Sequence, residues 1–265
     1  MQATLSQRTI SQVLADAFEI YRRNWGKLTA IAAIFIVPLT ILGHFIAHLV
    51  VAQTPSRTEV EARGLDAFPA GFWDAVLGAA VLGILTLLIT QIVQGAITRT
   101  AAGAVLDEPL EMGAAYRYGL ARLGSILLVG VLVALAVMGG LLLLVIPGFI
   151  FLVRFSLSVP ALVIEGTRGR AALSRSWRLT RGNGWHTFGA LFVAAVLLSL
   201  ATSILTAPFA QTWFGQAVAA SVGSVLTMPF TAMVAVVLYM DLRAREGQSD
   251  VRVVRREFDA AGVSA

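Results

Sequence analysis

The chain has no cysteine and a single lysine, Lys27, and only 13 % of its 265 residues are charged. Without cysteine there are no disulfides and no thiolate metal ligands. The few charges are unevenly spread. From Leu123 to Ile164 the only Asp, Glu, Lys or Arg is Arg154, and between Arg181 and Asp241 there is none. A soluble domain is about a quarter charged and about half apolar, whereas this chain is 57 % hydrophobic. That excludes an ordinary soluble fold, because so much apolar surface cannot be hidden inside one domain of this size. Also missing are a P-loop, a nucleophile elbow, a glycine dinucleotide fingerprint and any acids spaced for proton transfer. The expectation is a non-enzymatic protein without a cofactor. No signal-peptide pattern is seen, since the first long apolar run starts only after Lys27.

What is present is a series of long apolar stretches: Leu28–Ala52, Trp73–Ile97, Leu123–Ile146, Phe149–Ile164, Thr187–Ala207 and Ala217–Met240. At about 1.5 Å per residue most of them cross a hydrocarbon core of roughly 30 Å. The expected fold is an all-α integral membrane protein with six transmembrane helices in three hairpins. Ile146-Pro147-Gly148 reads as the turn between the third and fourth stretches. Basic residues set the orientation. With the N-terminus in the cytoplasm, 17 of the 20 Lys and Arg lie inside, and Arg57 and Arg63 lie outside. Both termini are then cytoplasmic, in a bacterial plasma membrane. Residues 1–247 read as a single six-span domain and 248–265 as a cytoplasmic tail.

Each hairpin is preceded by an expected cytoplasmic amphipathic helix lying in the membrane interface. "AFEIYRRNWGKL" (17–28), "AYRYGLARLGSI" (115–126) and "SWRLTRGNGWHTF" (176–188) repeat a small residue, an aromatic one and then basic residues. Thr9 and Gln12 suit a capping box at the first of these helices. Each apolar pair ends near an acid: Asp107, Glu165 and Asp241. In the third unit, Leu173, Ser176, Trp177 and Thr180 turn toward lipid or the bundle, and Arg175, Arg178 and Arg181 face headgroups. Candidate headgroup-binding residues are therefore Arg154, Arg175, Arg178, Arg181, Trp177 and Arg243. Near an anionic leaflet each such cation gains about 1 kcal/mol.

"IPGFIFLVRFSLSVPALVIEG" (146–166), "ALSRSWRLTRGNGWHTFG" (172–189), "YMDLRAREG" (239–247) and "VLADAFEIYRRNW" (13–25) resemble the membrane domain that some bacteria fuse to glycerophosphodiester phosphodiesterases, and its stand-alone relatives of unknown function. The resemblance covers most of the chain and implies a multi-span helical membrane protein without an assigned biochemical activity. The phosphodiesterase barrel is absent, and its chemistry is not carried over.

Two polar features lie in or near the spans. His44 and His48 share a helix face at a spacing that metals use, but a zinc site needs more ligands, and the reading adopted is two interfacial histidines without metal. Arg154 is expected between helices in an intramembrane polar cluster, pairing with Asp74 near His44 or binding a lipid phosphate. The expected partners are membrane lipids with anionic headgroups on the cytoplasmic leaflet, and no nucleic acid. The function expected is a membrane module engaging those headgroups, in lipid homeostasis or envelope organisation. The alternative is a permease for a small or amphipathic solute.

Overall fold

A computed structural model describes residues 7–108, 111–209, 212–248 and 250–263, apart from the side chain of Leu143. The described residues are 88 % helical, with no strands among them. The α-helices among the described residues are α1 (Ile10–Ala52), α2 (Arg57–Arg63), α3 (Phe72–Val105), α4 (Met112–Ala121), α5 (Leu123–Leu143) and α6 (Val145–Phe155). They continue with α7 (Ser158–Glu165), α8 (Arg170–Thr180), α9 (Gly184–Thr206), α10 (Trp213–Arg245) and α11 (Val251–Val263). Among the described residues six segments are long and apolar enough to cross a membrane: α1, α3, α5, α6 with α7, α9 and α10. This is a multi-pass membrane protein.

The first expected interfacial helix is not a separate element. Residues 10–52 form one helix of 43 residues, about 64 Å long. Between Arg22 and Thr29 the weakest helix former is Gly26, which costs about 1 kcal/mol, too little to end a helix that is packed on both sides of it. The capping box is present: the Thr9 amide donates to Gln12 Oε1 at 2.8 Å and the Gln12 amide to Thr9 Oγ1 at 3.4 Å. Likewise α3 and α10, of 34 and 33 residues, are each about 50 Å long. Pro38 and Pro229 are accommodated inside α1 and α10, as proline commonly is in packed membrane helices.

The turn expected at Ile146-Pro147-Gly148 falls earlier, at Leu144, which is extended (φ −163°, ψ 148°). Pro147 then occupies the first turn of α6, where its missing N–H would have no helical partner. Gly140 and Gly148 let α5 and α6 touch: a Cβ on Gly140 would lie 2.8 Å from the Gly148 backbone, and one on Gly148 would lie 2.9 Å from the Leu141 nitrogen. The fourth stretch is also interrupted, between α6 and α7. Ser176 of α8 satisfies the freed backbone groups there, donating to the Arg154 carbonyl at 2.7 Å and accepting from the Leu157 amide at 3.2 Å.

Buried residues are concentrated at one end of the molecule. There the first half of α1 meets the last parts of α3 and α10, together with α4, α7, α8 and α11. Val13, Leu28, Ile97, Leu162, Leu179, Leu238 and Phe258 are all fully or almost fully buried. We call this the charged end. Away from it the helices show their apolar side chains to the surroundings: Leu77, Ile84, Leu142 and Ile204 are all more than half exposed. The most apolar part of α3 is only 6 % buried by the protein, which leaves lipid to cover it.

Tryptophans mark both limits of that apolar zone. Trp25 and Trp185 are exposed toward the charged end; Trp73 is exposed and Trp213 stacks on His48 at the other. From Trp25 to His48 is about 34 Å along α1, close to the hydrocarbon thickness.

The stretch expected as a tail contains a packed helix. After Gln248, α11 packs against α7, burying Val254, Phe258 and Ala261 on one face.

Candidate functional site

The charged end holds three buried clusters, all built where helices outrun the apolar zone. Tyr239 to Arg245 lie about 39–48 Å along α10 from Trp213, and Arg99 about 39 Å along α3 from Trp73. Both distances exceed a hydrocarbon core of roughly 30 Å.

Glu165, the last residue of α7, is the hub of the first cluster. Arg175 of α8 donates through Nε to both of its oxygens at 2.8 and 3.0 Å. The Tyr239 hydroxyl donates to Glu165 Oε1, and Arg243 Nη1 lies 3.3 Å from the same oxygen. The network extends outward. Arg175 Nη1 reaches Glu246 at 2.8 Å and Nη2 reaches Gln248 at 2.9 Å, while Arg243 Nη1 donates to Glu257 of α11 at 2.5 Å. Burial alone would lower the Arg175 pKa, but its bonds to Glu165 and Glu246 outweigh that and raise it. It remains a cation at every accessible pH.

Asp241, fully buried two residues past Tyr239 and so on the other side of α10, gathers the second cluster. It accepts from the Arg8 amide at 2.5 Å, from Arg245 Nε at 2.9 Å, and lies 3.0 Å from His186 Nε2 of α9. Arg245 Nη2 also donates to the Arg8 carbonyl at 2.5 Å, and Arg8 Nε to Asp16 at 2.6 Å. One carboxylate thus ties the segment before α1 to the start of α9 and the end of α10. "YMDLRAREG" is thereby decoded: Tyr239, Arg243 and Glu246 serve the Glu165 network, and Asp241 and Arg245 the other.

In the third cluster, arginines of the α3–α4 corner hold the last turns of α11. Arg99 Nη1 donates to the Phe258 carbonyl at 2.7 Å and its guanidinium lies over the Phe258 ring, 3.4 Å from the centroid. Arg122 Nη2 donates to the Ala261 carbonyl at 3.2 Å. Cations beside the carbonyl end of a helix offset its dipole. On the flank of α11, Arg255 bridges to Glu108 at 2.9 Å. Burial and the neighbouring Asp259 push the Glu108 carboxyl above its ordinary range. The corner itself needs Gly119, whose Cβ would come within 2.3 Å of the Ile92 carbonyl.

The candidates from the sequence therefore divide. Arg178 and Arg181 are exposed, and Trp177 is partly so, at 36 %. Ser176 and Thr180 face inward as expected. Arg175 and Arg243 correct the expectation of headgroup-facing residues: both are buried and tied to carboxylates within the protein. Arg175 does not share a face with Arg181 because α8 ends at Thr180 and Arg181 takes extended backbone. Arg154 departs from its expected pairing. It pairs with neither Asp74 nor His44: its guanidinium lies 5.2 Å from the centre of the Trp177 ring. Asp74 is exposed in the first turn of α3, and His44 Nδ1 is 2.9 Å from the Thr40 carbonyl. Glu165, Tyr239, Asp241, His186, Arg99 and Arg245 were not singled out as site residues, although Glu165 and Asp241 are the acids that close two of the apolar pairs.

A family described as Domain of unknown function (DUF7847) matches residues 75–242, well over half of the chain. The chain belongs to that family. The DUF7847 segment contains Arg154, Glu165, Arg175, Trp177, Tyr239 and Asp241, so the hubs of the first two clusters fall inside it. Their partners Arg8, Arg243, Arg245, Glu246 and Glu257 come from the flanking residues. No functionally curated protein and no solved structure matches the chain.

Proposed function

We propose that this DUF7847 protein is a non-enzymatic module of the bacterial plasma membrane that engages anionic phospholipid headgroups through its charged end, in lipid homeostasis or envelope organisation. In this reading the charged end is cytoplasmic, both termini lie on that side, and the spans are grouped in three hairpins preceded by surface elements. It is also the reading that fits the resemblance to domains fused to phosphodiesterases that act on glycerophosphodiesters.

The observation that carries it is the surface left once the buried clusters are complete. Arg22, Arg23, Lys27, Arg178 and Arg181 remain exposed, beside the exposed Trp25 and Trp185 at the edge of the apolar zone. Indoles favour the headgroup level of a bilayer, and each nearby cation adds about 1 kcal/mol of attraction to an anionic leaflet. The permease reading has no comparable feature in its favour.

Orientation is tested with introduced cysteines, since the chain has none of its own. In intact cells Ala62→Cys should react with an impermeant maleimide, while Ser174→Cys and Ala260→Cys should react only after permeabilisation. Labelling of Ser174→Cys in intact cells would reverse the assignment.

Headgroup engagement is tested with the double variant Arg178→Gln, Arg181→Gln. Neither arginine takes part in the buried clusters, so the fold should be intact. Anionic lipid retained through detergent purification should fall several-fold, in line with about 1 kcal/mol per charge. Unchanged lipid, or a solute flux in proteoliposomes that both proteins share, would favour the permease.

A further inference from the structure

The well-buried arginines of the charged end each meet an oxygen: Arg99 and Arg122 reach carbonyls, and Arg175 and Arg243 reach carboxylates. Arg154 does not. Its guanidinium forms no hydrogen bond or ion pair with any described residue, and its Nη1 atom is buried with no partner. It belongs to a segment, Val145–Glu165, that is apolar enough to cross a membrane. Around it stand the rings of Phe151, Phe155 and Trp177, mutually packed at 5.5–6.2 Å between centroids. On the same helix Phe149, Ile150 and Leu152 are about half exposed, so this flank of α6 is turned to lipid.

A cation in such surroundings is costly without an acceptor. The acceptor that a membrane itself supplies is the phosphate of a phospholipid, and a planar guanidinium can grip two phosphate oxygens at once. We infer that Arg154 and Trp177, between α6 and α8, form a binding site for the phosphate group of a membrane phospholipid whose acyl chains run along Phe149, Ile150 and Leu152. The Trp177 ring holds the guanidinium from one face by a cation–π contact and leaves the fork of N–H groups for the ligand. Ser176, next in sequence to Trp177, fixes α8 to the α6–α7 break and so holds the indole in place. The inference rests on the reading of the protein as a lipid-engaging membrane module. It adds a defined site, distinct from the surface cations Arg178 and Arg181.

The experiment uses the full chain in non-ionic detergent, with phosphatidylglycerol titrated in and thermal unfolding followed. Wild type should show a saturable rise in melting temperature. In Arg154→Gln the half-saturating lipid concentration should rise roughly tenfold or more, as expected for loss of a charge-assisted hydrogen bond. Arg154→Lys should recover only part of the effect, because the bidentate geometry is missing. Arg57→Gln with Arg63→Gln, exposed on α2 at the opposite end of the molecule, should titrate like wild type. If Arg154→Gln fails to fold, Trp fluorescence decides without touching the arginine. Phosphatidylglycerol brominated in its acyl chains should quench a saturable component in wild type that Trp177→Phe lacks. Identical titrations of wild type and Arg154→Gln, or identical quenching with and without Trp177, overturn the site. An equal rise in melting temperature with inorganic phosphate overturns lipid as the source of the anion. Should Arg178→Gln, Arg181→Gln lose lipid while Arg154→Gln keeps it, the surface reading stands and this site falls; the opposite result separates them the other way.

Discussion

Glu165→Ala should lower the melting temperature of the purified protein by on the order of 10 °C, the largest loss expected from any single side chain in the molecule. The substitution removes the carboxylate between Arg175 and Arg243 and takes away the acceptor of the Tyr239 hydroxyl. Two arginines, 7 % and 2 % exposed, then face each other across the vacated position. Breaking a buried ion pair from one side typically costs about 3–5 kcal/mol, because the remaining charge is left uncompensated. The origin of the loss can be separated from simple loss of packing. Glu165→Leu combined with Arg175→Met removes both charges of the closest pair and keeps the volume, so it should recover much of the stability. Arg243 still has Glu257 in that background. Differential scanning fluorimetry of the single and double variants checks this, and a Glu165→Ala protein melting within a degree or two of wild type would refute the hub.

Asp241→Ala should give the second-largest effect, about 2–4 kcal/mol, with a local signature that Glu165→Ala lacks. The Asp241 carboxylate is the acceptor for the amide of Arg8, which immediately precedes the Thr9 cap of α1. Without it Arg245 keeps the Arg8 carbonyl and a long contact to His186, and His186 loses its carboxylate neighbour. Hydrogen exchange should therefore accelerate in the first turns of α1 and at the start of α9. Asp241→Asn should lie between, since an amide oxygen can still accept from the Arg8 backbone but does not balance Arg245. Uniform exchange changes across all helices would mean that Asp241 supports the fold generally and does not tie these segments together.

The apolar stretches, the Thr9 capping box and the inward turn of Ser176 and Thr180 were legible because each is a local pattern, set by runs of residues or by spacing within one helix. Two misreadings have a common origin. Lys27 and Trp25 look like the edge of a surface helix, but a change in the environment outside α1 does not require a break in its backbone hydrogen bonds. Arg175 looks like Arg178 and Arg181 until the acids are placed, and its partners lie 10 and 71 residues away. Charge spacing along one segment gives no information about such pairings. The useful signal was the acid closing two of the apolar pairs: Glu165 and Asp241 became the hubs. Arg154 was rightly singled out as a cation within an apolar run, but its neighbour is an indole from α8, whose approach depends on the interruption between α6 and α7.

The continuity of α1, α3 and α10 across the edge of the apolar zone has a mechanical consequence. Each behaves as a lever with one arm in lipid and the other in water, and no joint between. A bilayer that thins or thickens is matched by helix tilt. Because the aqueous arms share one buried core and are tied through Asp241 to the segment before α1 and through Arg99 and Arg243 to α11, they move together at that end. A tilt imposed by the lipid on one of the three helices is thereby passed to the other two through their shared core.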